Sequence, residues 1–369
     1  MSRARILRAS GSLALVLLAT ACGGSSGEVR LGMAGPFEEG FGIANKRGAE
    51  LATLEINAAG GVGGDSLVLD YQDDKGDGSR AATIAQAFVD DERILAVVGH
   101  VTSGAMMAAA KVYDGHVAAV ATTASSAALT GISKWTFRVI SSDSANGVDL
   151  ARFAERLGKK RAAILYENDA YGRGLADNFR RNFAGEIISF DPIPFDGTRA
   201  ALYMEWLKPH RPDLVFVAGT DRSGVATLAA AKATQMEADF LGGDGWTAVV
   251  SDPVASEGAL VGAPFTPLDP RPEAQQFVSA FRARFSGDDP DGNAALAYDT
   301  VKLLAAAVTA VGRDREAIRD WLAARRSDEA FKGVTGDITF LDSGDPIGKS
   351  FVMTRISRGK LTIAERGAP

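Results

Sequence analysis

The sequence of 369 residues contains one cysteine and only three histidines. A single thiol excludes an internal disulfide, and His100, His116 and His210 are too scattered to supply a transition-metal ligand set. Positive charge is also scarce. Forty Lys and Arg against 46 Asp and Glu leave a formal net charge of −6, which argues against nucleic acid, because phosphates are held by clustered basic residues. The apolar run "SLALVLLATA" over 12–21 falls well short of the roughly 20 residues a transmembrane helix needs, and no second long run is evident.

What is present begins with Arg3, Arg5 and Arg8, then that apolar run ending in small residues, then Cys22. This is the anatomy of a secretory signal. With "ATA" directly before Cys22 it resembles a bacterial lipoprotein signal, in which the chain is cut before the cysteine and the thiol carries a diacylglycerol. Ala19 occupies the place where that pattern usually has Leu, and an ordinary signal peptide with an incidental Cys22 is the competing reading. The expected layout is a signal over 1–21 and a flexible tether over 22–28. Removal of the signal takes three Arg with it and moves the net charge from −6 to −9.

From Val29 onward, short apolar strands alternate with helical patterns. "VRLGMAGP", "SLVLDYQDD", "ILAVVGH" and "VAAVATTA" read as strands separated by helices such as "IANKRGAELATLEINAAGG". After "TFRVISSD" the alternation restarts with "RAAILYEND", "DLVFVAG" and "DFLGGDG" as strands. Continuously apolar strands linked by helices suit parallel sheets covered on both faces. The fold class is therefore α/β, with two Rossmann-like lobes. Crossovers are expected near 142, 265 and 342, giving lobe 1 as 29–142 plus 266–342 and lobe 2 as 143–265 plus 343–369.

Several catalytic signatures fail on context. "GGSSG" fits a nucleophile elbow but lies in the tether. "GDPIGKS" has Ser343 where a P-loop needs its first Gly and no helix after it. "YGRGLAD" carries Asp177 where a dinucleotide fingerprint needs its third Gly. Asp73–Asp74 and Asp288–Asp289 read as solvated turns in Gly-rich loops. No nucleophile, base and oxyanion donor assemble, so the chain reads as a non-enzyme, and no cofactor or metal is implied.

In open parallel sheets, ligands bind at the C-terminal strand ends, where helix N-termini present free N–H groups. Those ends carry Thr102 and Ser103, then the hydroxyl run Thr122 to Ser126, then Tyr171, Asp221 and Asp244. Hydroxyls and N–H groups suit a carboxylate, and the acids suit an ammonium. Each residue also has a plainer reading: Thr102 or Ser103 as an N-cap, Ser125 or Ser126 as a turn cap, the two Asp as turn residues and Tyr171 as core.

The stretches "LGMAGPF", "GAELATLEINAAGGVGG", "DYQDD", "VVGHVTSG", "SSAALT", "YENDAYGRGLADNF", "GGDGW" and "AYDTV" run in order over nearly all of the mature chain. In them the sequence resembles the type I periplasmic substrate-binding proteins of the leucine/isoleucine/valine-binding family, which serve ABC importers. The resemblance implies that Ser103 binds the ligand carboxylate, with Ala124 and Ser125, or Ser126, adding main-chain and hydroxyl contacts. It implies further that Tyr171 lines the cleft, that Asp244 receives the α-ammonium, and that Phe41 is the aromatic of the first loop. Three departures stand out: the short loop "EEGFG" with Glu38 and Glu39, Asp221 in place of a Tyr, and small residues in "GNAALAYD" where an aromatic wall is usual. They favour a more polar or cationic ligand than leucine. The expected protein is a monomeric, lipid-anchored extracytoplasmic receptor that hands an amino-acid-like solute to permease subunits. A ligand-sensing module for a signalling partner is the alternative.

Overall fold

The structure, a computed structural model, describes residues 27–365. The signal and the lipidation expected at Cys22 lie outside the described residues. The first lobe is built on β1 (Glu28–Gly35), β2 (Ser66–Asp73), β3 (Ile94–Gly99), β4 (Ala118–Ala121) and β5 (Thr136–Arg138), all parallel, in the order β2-β1-β3-β4-β5. The helices α1 (Gly40–Ala58), α2 (Gly78–Asp90) and α3 (Ser103–Tyr113) connect the first four strands.

The second lobe runs through α4 (Asp143–Arg156), β6 (Arg161–Glu167), α5 (Ala170–Asn182), β7 (Glu186–Ile193) and α6 (Ala200–Leu207). It continues with β8 (Leu214–Ala218), α7 (Asp221–Ala233), β9 (Asp239–Gly242) and β10 (Leu260–Ala263). The chain then returns to the first lobe for α8 (Pro272–Arg284), α9 (Gly292–Val311), α10 (Arg315–Ala323) and the hairpin β11 (Phe331–Gly333) and β12 (Gly336–Ile338). It ends on β13 (Val352–Ser357) and β14 (Lys360–Glu365), which add an antiparallel edge to a seven-stranded second sheet.

Each sheet is apolar on both faces. β3 and β8 are buried along their whole length, as the continuous apolar runs require. One face of the first sheet packs with α1, α8, α9 and α10, and the other with α2 and α3. The helix α9 corrects one expectation. It is long and apolar enough to cross a membrane, yet most of its residues are buried against the first sheet and α1. Its alanine-rich sequence serves close packing. A Cβ at Gly48 of α1 would stand 2.0 Å from the Ala294 carbonyl of α9.

The third passage between lobes falls later than 342. Arg138 binds both the Gly344 carbonyl and the Asp345 carboxylate, and Lys349 Nζ donates to the Thr335 carbonyl at 2.8 Å. Residues 343–349 thus stay on the first lobe, and Phe351 is the first side chain in the core of the second. The polar network around Arg138, invisible in the sequence pattern, holds that segment back.

Candidate functional site

The C-terminal ends of both sheets face one another across a narrow cavity of about 50 Å³. Its wall is formed by Phe41, Val101, Thr102, Ser103, Thr123 and Asn293 from the first lobe, and by Asp169, Tyr171, Thr220, Asp244 and Gly245 from the second. A wider hollow on the second lobe, around Lys232, Met236 and Glu257, lies at the N-terminal end of β9, away from the C-terminal strand ends.

On the first lobe, the turn after β3 delivers Val101, Thr102 and Ser103 to the start of α3. The cap reading fails here. Thr102 occupies the N-cap position but makes no capping bond, and its buried Oγ1 has no hydrogen-bond partner among the described residues. Ser103 Oγ accepts from the Ser126 N–H at 3.1 Å, which leaves its own proton for a ligand oxygen. Two hydroxyls and the free N–H groups of a helix N-terminus make an anion site without a cationic side chain.

His100 sets that turn from behind. Its Nδ1 lies 2.6 Å from Asp74 Oδ2, its Nε2 lies 2.9 Å from the Tyr113 hydroxyl, and all three side chains are buried. The expectation that Asp74 is a solvated turn residue is therefore corrected. The β2–α2 loop folds under α3, and Asp74 Oδ1 also takes the Gly76 N–H at 2.8 Å.

On the second lobe, Tyr171 donates its hydroxyl to Asp244 Oδ1 at 3.0 Å and accepts from the Gly245 N–H at 3.1 Å. Burial pushes the Asp244 carboxyl up to about 6, and the Tyr171 hydroxyl bond and backbone N–H groups oppose that shift. Asp143 stands behind, raised well above the usual carboxylate range by its own burial and then by the Asp244 charge. Asp169 accepts from the Gly172 N–H at 2.7 Å as the N-cap of α5, and burial raises it as well. An acid held this way gains most from an ammonium that supplies the missing counter-charge.

Of the residues the sequence singled out, Phe41, Ser103, Tyr171 and Asp244 meet at the cavity wall. Ala124, Ser125, Ser126 and Asp221 lie outside it. The Ala124 side chain is part of the apolar core. The carbonyls of Ser125 and Ser126 are drawn back by Arg138 Nη1, at 2.8 Å each, and Ser126 Oγ caps the Ala128 N–H at 3.4 Å. Asp221 faces the other lobe at the start of α1, where a Cβ on Gly40 would stand 2.7 Å from its Oδ2. Asp169, Thr220, Gly245 and Asn293 were not singled out. Asp169 and Thr220 carry a readable signal, since each follows the end of a parallel strand by two residues.

Comparison with known proteins agrees with this fold. The periplasmic binding protein family model matches residues 29–360. A Leu/Ile/Val-binding protein homolog 2 of Brucella abortus is 29% identical, over 92% of this chain and 94% of that protein. The branched-chain amino acid transporter substrate-binding protein LivJ of Streptococcus pneumoniae, solved with isoleucine, superposes with a TM-score of 0.86 at 27% identity, covering 93% of this chain and 100% of that one. An ABC transporter substrate-binding protein of Desulfitobacterium hafniense, solved with Leu, gives 0.78 at 31% identity over 91% of this chain and 99% of that one.

Proposed function

The chain belongs to the periplasmic binding protein family, type I, and from that premise we propose that it is the solute-binding component of an ABC importer for a small amino-acid-like zwitterion. The observation that carries this reading is the division of the cavity wall. Hydroxyls with free protons, Thr102 and Ser103, lie on one lobe, and the Tyr171–Asp244 pair lies on the other. A zwitterion spanning the two contacts both lobes at once, so binding favours the closed arrangement.

Family membership implies an extracytoplasmic location. The basic start, the short apolar run and Cys22 support a lipid-anchored form that presents its solute to permease subunits. A binding role without turnover is the reading that family membership supports.

The test is thermal unfolding of the mature chain, stripped of co-purified solute by unfolding and refolding, against amino acids, amides, amines and aromatic acids. A true ligand at about 100 times its dissociation constant adds roughly 2.7 kcal/mol of stability. A shift of several degrees with one solute class supports the proposal. Silence across the panel, or binding only of solutes lacking an ammonium, refutes it.

A further inference from the structure

The hydroxyl and amide protons of the cavity wall are sorted by position. Thr102 and Ser103 keep theirs free at the anion end, and each of the other six polar side chains of the wall lacks a proton to offer. Thr123 Oγ1 donates to the Val101 carbonyl at 3.0 Å. Thr220 Oγ1 donates to Glu167 Oε1 at 2.8 Å. Both amide protons of Asn293 are used, on Thr247 Oγ1 at 3.1 Å and Asp291 Oδ2 at 3.0 Å. Tyr171 gives its proton to Asp244, and the carboxylates of Asp169 and Asp244 can only accept.

Away from the Ser103 end, the polar side chains of the wall therefore present oxygen lone pairs, beside the apolar Phe41 and Val101. Among the described residues, no Lys, Arg or His lines the cavity. A single α-ammonium satisfies the neighbourhood of Asp244 and leaves without a donor the lone pairs of Thr220 and Thr123, and those of Asp169 that the N-terminus of α5 does not use. An aliphatic side chain placed there strips these acceptors of water and returns nothing, which is costly for a charged one.

Resting on the amino-acid reading above, we infer that the solute carries a second N–H-bearing group, an amine or a carboxamide on its side chain, held by the acceptors Asp169, Thr220 and Thr123. The site would then discriminate by hydrogen bonding and charge instead of apolar fit. A site built to bond an N–H rejects the isostere that lacks it far more strongly than an apolar pocket rejects a missing methylene.

The experiment is calorimetric titration of the stripped mature chain with isosteric pairs: 2,4-diaminobutyrate against norvaline, ornithine against norleucine, and asparagine against leucine. The expected result is that the N–H-bearing member of at least one pair binds on the order of tenfold or more tighter than its partner. The amine and amide arms identify which group is used. In Asp169→Asn, which keeps an oxygen to cap α5, the preferred solute should weaken by about tenfold while its hydrocarbon partner is unaffected. The melting temperature of the variant separates this from misfolding. Norvaline, norleucine or leucine binding as tightly as its partner overturns the inference and leaves the amino-acid receptor intact. No binding by any of the six overturns both.

Discussion

Arg222, in the first turn of α7, grips both carboxylate oxygens of Glu39 at the start of α1, at 2.9 and 3.1 Å. The two residues belong to different lobes. Beside them Asp221 packs against Gly40, so two adjacent residues of one lobe meet two of the other across the cleft. The bond from Asn293 to Thr247 joins the lobes at a second place. Any opening of the cleft at these points breaks these contacts, so their free energy adds to that of the ligand in favouring closure.

Glu39→Gln should therefore speed ligand release. Arg222 and Glu39 side chains are 51% and 25% exposed, so the bridge is worth no more than about 1 kcal/mol, or roughly fivefold in rate. Stopped-flow dissociation at low ionic strength measures it. The difference from the unmodified chain should fade at molar salt, where exposed charges are screened within about 3 Å. A release rate unchanged at low salt would show that closure does not depend on this contact.

Asp244→Ala should be far more damaging to binding than to folding. It leaves the ligand ammonium without its partner in a desolvated cavity, an effect on the order of 3–5 kcal/mol. Tyr171→Phe removes one neutral donor to that carboxylate and should lose only about 1 kcal/mol. Titration calorimetry on both variants gives the order, and an Asp244→Ala affinity close to the original would refute the ammonium assignment.

The sequence carried the α/β architecture because both of its lobes are written in one alphabet. Strands such as "ILAVVG" are apolar throughout and the linking helices are amphipathic, so element type and parallel pairing follow from periodicity. Ser103, Tyr171 and Asp244 were legible because strand ends are where such folds bind ligands. What stayed hidden are residues whose role depends on distant partners. Arg138 lies inside a strand pattern, and only the folded chain brings Ser125, Ser126 and Asp345 to its guanidinium. Asp221 looked equivalent to Asp244, since both start helical segments after strands. Only the approach of α1 turns the first toward the opposite lobe and leaves the second at the cavity.

Binding should be lost in acid. The Asp244 carboxyl is pushed up to about 6 by burial, and an ammonium is attracted only to the ionised form. Affinity should be level above pH 7 and fall about tenfold per unit below 6. The unliganded protein should behave in the opposite sense. Asp143, Asp169 and Asp244 all titrate above the usual carboxylate range when folded, so between about pH 4 and 6 the folded chain holds more protons than the unfolded one. These groups therefore contribute stability that falls as pH rises through that window. The ligand-induced rise in melting temperature should grow steadily from pH 5 to 7, and a constant rise over that range would contradict the assignment.

The last prediction concerns the support behind the anion site. Asp74, His100 and Tyr113 are all buried, and the imidazole bridges the other two through both ring nitrogens. His100→Ala removes the bridge and leaves a carboxylate and a phenol inside the lobe without their partner. Breaking a buried pair from one side costs on the order of 3–5 kcal/mol, a large share of the stability of a domain. Urea unfolding should show that loss. Because Val101, Thr102 and Ser103 follow His100 directly, the surviving folded fraction should also bind carboxylate-bearing solutes more weakly, while its second-lobe wall is unaltered. A variant as stable as the parent would mean that Asp74 finds another partner or reaches water, and that the turn carrying Ser103 is held by its own backbone instead.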